Sequence, residues 1–558
     1  MRAIVLLVLL LQFLTACSNS NNETNFSNNE TNFDPAFAFL AYESPPQPRG
    51  GACSGSVDVN APLIVSGFGF NHANTRNQPS LIDSANVDQL TVNFLHTQTG
   101  VKEKRGAPAV TAQTIFMTSG RQLLALNRQS GCQYWAFSNP AAGADFRSSS
   151  ILFVPAGDNV PAVVYAADFN GYVYAVYAQT GAPLWQKFVG TIPFLHFVTG
   201  GMQYHQGKLF VPVSSKEVLA TVFLRDACCS SHGMLVALDA TTGNLLWDYH
   251  TTAEATETVL PGERIGPNGA PVWATPTIDS KRNAVYIGTG QNYTEPATNT
   301  SDAIISLDMD SGAVNWIFQA READTWNGHC SNPESLRCSH PAGHDFDFGA
   351  APILLDDGNT LIAGDKGGVV YSIEAATGVL NWSNKVSLGS TLGGIHWGMA
   401  VDKRRVYVAA TDFNIDKAAG GEAELIPGAR PGIYALNLNS GAIEWEIHPQ
   451  HTFNGVSTQS LYSASLSVSN DLLFAGSLDG VVRAFDTDDG SERWSLETAV
   501  ALSDINGVSG NGGTIDSVGV VVAGDGLLVN SGYATFQGID GRYQAGPGNA
   551  LFVLTLPP

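Results

Sequence analysis

A short apolar strand, a turn closing on Gly and a second strand carrying Trp recur seven times in this chain, always in that order. The copies run LLALNRQSGCQYW from Leu123, VYAVYAQTGAPLW from Val173, LVALDATTGNLLW from Leu235 and IISLDMDSGAVNW from Ile304. VYSIEAATGVLNW from Val370, IYALNLNSGAIEW from Ile433 and VRAFDTDDGSERW from Val482 complete the set. A unit of several short strands repeated every ~50–70 residues is the pattern of a radial, all-β propeller. The strand before each turn is apolar at nearly every position, as a strand covered on both faces must be. Gly at the turn supplies φ > 0 without steric cost. Trp supplies a large apolar plate to wedge between neighbouring blades. Seven of the ten Trp residues hold this one position, which makes their role structural.

The chain ends predict one further blade. ALFVLTL (Ala550 to Leu556) reads as an inner strand with no Trp strand after it, and LTVNFLHTQTG (Leu90 to Gly100) as an outer strand with no inner strand before it. Pairing them closes the ring and leaves no open edge between first and last blades. The expectation is an eight-bladed propeller over residues 51–558, with seven blades as the alternative.

The N-terminus is a separate matter. MRAIVLLVLLLQFLTAC has one basic residue, an apolar run too short to span a bilayer, and then small residues. It reads as a signal peptide over residues 1–16. Leu14-Thr15-Ala16-Cys17 resembles the bacterial lipobox, which would make Cys17 a lipidated first residue; a plain secretory signal is the alternative. Residues 17–50 repeat ETNF, are rich in Asn and Ser, and read as a flexible tether. The expectation is an exported protein, held at the outer membrane by its lipid or secreted.

Cysteine usage agrees with export. Setting Cys17 aside leaves Cys53, Cys132, Cys228, Cys229, Cys330 and Cys338, an even number that suggests three disulfides. Spacing favours Cys330–Cys338 as a loop staple and Cys228–Cys229 as a vicinal ring, and Cys53–Cys132 follows by elimination only. No spacing fits a zinc site, and no CxxCH is present for covalent haem. The net charge of −22, with only 14% charged residues, argues against a nucleic-acid or anionic-lipid surface.

Chemistry enters through the segments between blades. These are GFNHANTRNQ (Gly69 to Gln78), VWATPTIDSKRNAVYIGTGQNYTEPATNTSDAIISLD (Val272 to Asp308), HDFDFGAAPILL (His344 to Leu355), GDKGGVVYSIEAATG (Gly364 to Gly378), GGIHWGMAVD (Gly393 to Asp402) and FAGSLDGVVRAFDTDDG (Phe474 to Gly490). With the blade repeat they resemble the pyrroloquinoline quinone (PQQ) propellers of bacterial alcohol dehydrogenases, most strongly the polyvinyl-alcohol dehydrogenase group. The resemblance implies a quinone lying flat on a Trp near the ring axis. Trp273, outside the seven-fold register, matches that floor, and an aromatic plate stacks a planar cofactor with little loss of side-chain freedom. One more interblade Trp is the alternative. A hard divalent cation, calcium in the family, polarises the quinone carbonyl and wants several oxygen ligands. Glu217 falls where the family places a carboxylate ligand, and Gln291 where it places an amide, with Asn292 adjacent. Asp347 matches the catalytic aspartate and would also reach the metal. Asp345, two residues away, shares its face if the segment is extended. One of two close carboxylates can hold a raised pKa and act as base. Lys366 matches the basic residue that contacts the quinone oxygens.

Three features depart from the family pattern. Arg105 stands where alcohol dehydrogenases of this fold carry a Glu against the quinone. The Cys228–Cys229 pair lies one blade later than the vicinal disulfide of methanol dehydrogenases, a placement associated with the polyvinyl-alcohol group. The cytochrome segment common in that group is absent from this sequence, so a separate electron acceptor such as a cytochrome c is expected. The leading reading is PQQ-dependent oxidation of secondary or polymeric alcohols. The alternatives are a non-catalytic binding propeller, similar to the outer-membrane assembly lipoprotein, and a relative that has lost its cofactor.

Overall fold

The computed structural model describes residues 49–557 apart from 140–144, 147–150, 158–159, 221–227, 261–263, 333, 415–423, 454 and 534–540. The expected signal peptide, Cys17 and nearly all of the tether lie outside the described residues. Among those described, eight antiparallel sheets form the blades. The first comprises Leu63–Val65, Ala109–Thr111, Thr114–Ser119, Gln122–Asn127 and Gln133–Ser138. The second to seventh lie within residues 152–188, 196–250, 277–319, 353–385, 400–447 and 467–497. The third strand of each is buried almost throughout, as in Met234–Asp239, while the outermost alternates with solvent, as in Glu492–Glu497.

The eighth blade joins the two ends of the chain. Thr91–His96 pairs antiparallel with Ala550–Thr555, Thr91 opposite Thr555 and His96 opposite Leu551. Ala550–Thr555 is inner only relative to Thr91–His96, because Gly526–Ser531 and Val520–Ala523 lie inside it. Gly526–Ser531 and Val520–Ala523, six and four residues, stand outside the Gly-turn and Trp pattern by which the other blades were read.

The Trp/Gly repeat has a single physical cause. Trp135, Trp185, Trp247, Trp316, Trp382 and Trp445 donate their indole N–H groups to carbonyls of the next blade (Ala178, Ala240, Met309, Ala375, Leu438 and Thr487), at 2.9–3.1 Å. Each ring lies so close to the next blade's turn glycine that a Cβ there would collide with it. Those glycines have φ of 70° to 75°, so both the turn and the interblade contact exclude larger residues. At the closing seam Phe94 takes the place of Trp and packs against Gly131.

All three expected disulfides are present. Cys53–Cys132 fastens residues 49–53 across the seam, where Gly50 N–H donates to Ser130 and Arg49 to the Asn93 carbonyl at 2.8 Å. A cavity of about 220 Å³ beside it is lined by Gly51, His96, Gln133 and Asn506, none of them a residue singled out for chemistry.

One further segment organises the ring. Residues 62–81 visit every blade in turn through hydrogen bonds. Pro62 O accepts from Ala112 in the first blade, and Ser66 O from Phe153 in the second. Asn71 O accepts from Gln203 in the third, and His72, Ala73 and Thr75 accept from Ile278, Leu354 and Val401 in the fourth, fifth and sixth. Arg76 and Gln78 pair with Val468 in the seventh, and Leu81 donates to Gly524 in the eighth. Arg76 is wholly buried and donates to Leu466 O, Ser467 Oγ, Val518 O and Val520 O, which satisfies an otherwise costly internal charge. Phe68 and Phe70 of the same segment join Trp273 and Trp397 in one buried cluster.

Candidate active site

Trp273, Asp347, Asp345, Lys366 and Gln291 meet in one place, although they come from separate interblade segments. Asp347 Oδ2 accepts from the Trp273 indole N–H at 3.0 Å. Lys366, presented by the Asp365–Gly368 hairpin turn, has its Nζ 2.7 Å from Asp345 Oδ1 and 3.8 Å from Asp347 Oδ2. The two aspartates therefore share a face, as an extended His344–Phe348 segment requires. Gln291 donates from Nε2 to Asp345 Oδ1 at 3.4 Å. Two glycines permit the closeness. A Cβ on Gly290 would strike the Asp347 carboxylate, and one on Gly349 would strike the Trp273 ring. His396 and Trp397 brace that ring edge-on, with centroids at 5.5 and 5.3 Å.

Glu217 and Asn292 take different places. Glu217 Oε2 accepts from the Ser230 and Ser231 N–H groups at 2.9 and 2.6 Å, leaving Oε1 with one long contact, 3.4 Å, from Ser230 Oγ. Its carboxylate joins those of Asp347 and Asp345 around the buried Tyr293 hydroxyl. Burial, with the three carboxylates acting the same way, pushes that hydroxyl well above its ordinary 10. Asn292 is committed elsewhere. Its Nδ2 donates to Asn268 O at 2.7 Å, and its Oδ1 accepts from Thr298 N–H at 2.7 Å. Of the two amides the sequence left open, Gln291 is the one with a buried, unpartnered oxygen, Oε1.

Arg105 lies on the Trp397 side. Its guanidinium is 5.8 Å from the Trp397 ring centre, donates to Tyr533 Oη at 2.6 Å and pairs with Glu103 at 3.0 Å. Burial opposes its charge, but Tyr533, Glu103 and Asp516 together raise its pKa above the ordinary value.

The electrostatics single out Asp347. Burial raises its carboxyl from the ordinary 3.8 to about 7; Lys366 pulls the other way and Asp345 adds to the rise. Its Oδ1 is buried against Gly290, and the Gln291 backbone N–H pulls the carboxyl pKa back down. Sequence reading missed four neighbours. Asp302 is wholly buried, both its oxygens lack partners, and burial, then Asp324 and Asp347, push its carboxyl well above the usual range. Burial also raises Asp324. His396, whose Nδ1 is 2.6 Å from Ser463 Oγ, is held neutral by burial and by the charges of Lys366 and Arg105. Tyr293 packs against the Cys228–Cys229 ring and Val218, next to Glu217. HDFDF and the out-of-register Trp273 carried a signal of their own; Tyr293, Asp302 and His396 lie in segments that carry the family resemblance but were not singled out within them.

A surplus of buried carboxylates with unpartnered oxygens beside a planar aromatic is chemistry suited to a cation and a flat, anionic cofactor. The comparisons agree. The family described as glucose/ethanol/alcohol dehydrogenase, beta-propeller domain, in the PQQ group, matches residues 68–337. The family described as outer membrane protein assembly factor BamB matches 300–417 and 366–542. Polyvinylalcohol dehydrogenase of a Pseudomonas species is 35% identical over 502 residues, 87% of this chain and 76% of that one. Its counterpart from a Sphingopyxis species is 34% identical over 496 residues, 86% and 74% of the two chains. Among solved structures, a quinohemoprotein alcohol dehydrogenase of Pseudomonas putida superposes with a TM-score of 0.66 at 17% identity, covering 88% of this chain and 80% of that one. A europium-containing methanol dehydrogenase gives 0.65 at 17% identity, covering 89% and 98%. The chain belongs to the PQQ-dependent alcohol dehydrogenase family of β-propellers. Within that family its similarity along most of its length is to the polyvinylalcohol dehydrogenases, which favours the enzyme over the scaffold reading.

Proposed function

We propose that the enzyme oxidises secondary hydroxyl groups, on a polymer or on small alcohols, with Asp347 as general base. The observation that carries this reading is the buried Asp347 carboxyl, raised to about 7 in the cation-free chain, with Oδ2 fixed by the Trp273 N–H. A bound cation would lower that value, so in the loaded site Asp347 would stand ionised and ready to accept the hydroxyl proton. Bound PQQ would supply the acceptor for the hydride of the carbinol carbon. The chain's own residues do the rest. Trp273, braced by His396 and Trp397, offers the stacking plate, and Lys366 offers a cation at its edge beside Asp345. Asp347 Oδ1 takes the hydroxyl proton of the substrate. Asp345, already paired with Lys366 at 2.7 Å, is the second candidate for that role. Glu217 Oε1, Gln291 Oε1 and Asp347 would hold the cation, which we assign to calcium from the all-oxygen donor set. Arg105, charged and beside Trp397, offers a second cationic contact for the cofactor in place of the family's Glu.

We further propose export with lipid attachment at Cys17, which would place the enzyme at the outer membrane, and reoxidation by a separate acceptor such as a cytochrome c. Purified protein given PQQ and calcium should oxidise polyvinyl alcohol and secondary alcohols with a dye acceptor. Asp347→Asn should keep cofactor but lose activity by at least about a hundredfold, the scale of a lost general base. Full activity in that variant, or none in wild type with PQQ bound, would overturn the reading. Loss of membrane association in Cys17→Ser tests the anchor.

A further inference from the structure

A second set of metal-ligand side chains lies on the third blade. His232 Nε2 and His250 Nδ1 face each other at 2.6 Å. With the Glu254 carboxylate they form a set whose three ligand atoms all lie within 4.8 Å of one another. The sheet brings them together. His250 ends the outermost strand Leu245–His250 opposite Met234, and His232 precedes Met234 by two residues. His232 is buried and its carbonyl is held by His196 Nε2 at 3.1 Å. The tautomer there is fixed, because His196 Nδ1 accepts from the Thr191 and Ile192 N–H groups at 3.0 and 3.2 Å. The other nitrogen of His250, Nε2, sits 3.6 Å from Asp248 Oδ2.

We propose that His232, His250 and Glu254 bind one divalent transition-metal ion of the zinc class, at a site distinct from the cofactor's. Two imidazoles and a carboxylate are a common donor set for such an ion, and exposed Glu254 leaves the fourth position to water. A tetrahedral ion with Zn–N bonds of ~2.0 Å separates its nitrogens by about 3.3 Å, so the rings must part by roughly 0.7 Å. His250, whose side chain is 32% exposed, has room to withdraw. The competing arrangement is one proton shared between the two rings. The ion would also brace the loop that clasps Glu217, since Ser230 and Ser231 immediately precede His232.

Zn²⁺ titration of the PQQ-free mature chain by calorimetry, with Co²⁺ absorption as a second readout, tests this without using catalysis. Wild type and Glu217→Gln should each take up Zn²⁺ at this site. His250→Gln should weaken binding at least about a hundredfold, beyond what loss of a mere supporting partner costs. If His250→Gln does not fold, Glu254→Gln, altered only at an exposed side chain, gives the same discrimination. Equal uptake by wild type and these variants, or no uptake by wild type, would leave the shared proton as the sole occupant and overturn the proposal.

Discussion

Replacing Asp347 by Asn should make the cofactor-free protein more stable, and only above a defined pH. In the fold the carboxyl titrates at about 7, against 3.8 ordinarily. Each pH unit of difference is worth about 1.4 kcal/mol, so holding Asp347 ionised inside the fold costs about 4 kcal/mol. Between pH 4 and pH 7 the folded chain keeps a proton that the unfolded chain has released. The stability that depends on it is whole below pH 4 and lost by pH 7. Asn cannot ionise and has nearly the same shape. Wild type and Asp347→Asn should thus have similar stability at pH 4, and by pH 8 the variant should lead by about 4 kcal/mol. Urea unfolding at the two pH values, followed by tryptophan fluorescence, measures the gap. Calcium should close it at pH 8, because a cation beside the carboxylate lowers its pKa. Matching curves at pH 8, or the same gap at pH 4 as at pH 8, would mean that Asp347 ionises normally, and the case for it as base would fall.

Three other outcomes are expected. Trp273→Ala should weaken PQQ retention, read by equilibrium dialysis, while circular dichroism stays unchanged, because the plate is lost and the blades are not. Gly441→Ala should lower stability by more than the ~1–2 kcal/mol of left-handed backbone strain, since the new methyl also displaces Trp382; denaturant midpoints test this. Gln291→Ala should reduce calcium affinity in titrations of the PQQ-loaded protein, whereas Asn292→Ala should mainly lower the melting temperature.

The ring was legible because each blade writes the same contact into the chain. An indole must lie on the next blade's turn, and only Gly accepts it there, so Trp and Gly recur in register. Phe94 escaped notice because it serves that contact with a different ring and comes from the other end of the chain. In the site, HDFDF could be read since two aspartates spaced by two share a face when extended, and Trp273 because it broke the register. Asp302, Tyr293 and His396 could not. They lie in segments that carry the family resemblance, but each acquires a role only when closure of the ring carries it beside Asp347 or Trp273. Gln291 held the family's amide position with Asn292 beside it as the other candidate, and hydrogen bonding to Thr298 commits Asn292 elsewhere.

Blades of one design do not by themselves dictate how many stand in a circle, and from the repeat alone seven or eight could be argued. Residues 62–81 work as a gauge. Their carbonyl and N–H groups meet eight successive stops, from Ala112 to Gly524, the stops at Thr75, Arg76 and Gln78 buried and those at Asn71 and His72 exposed. A stretch of about twenty residues outside the Trp/Gly repeat is thus fitted to a ring of eight. Such a stretch also constrains descent: a blade could not be duplicated or lost without a matching change in the gauge, so blade number should be far more resistant to change than the loops that carry the chemistry.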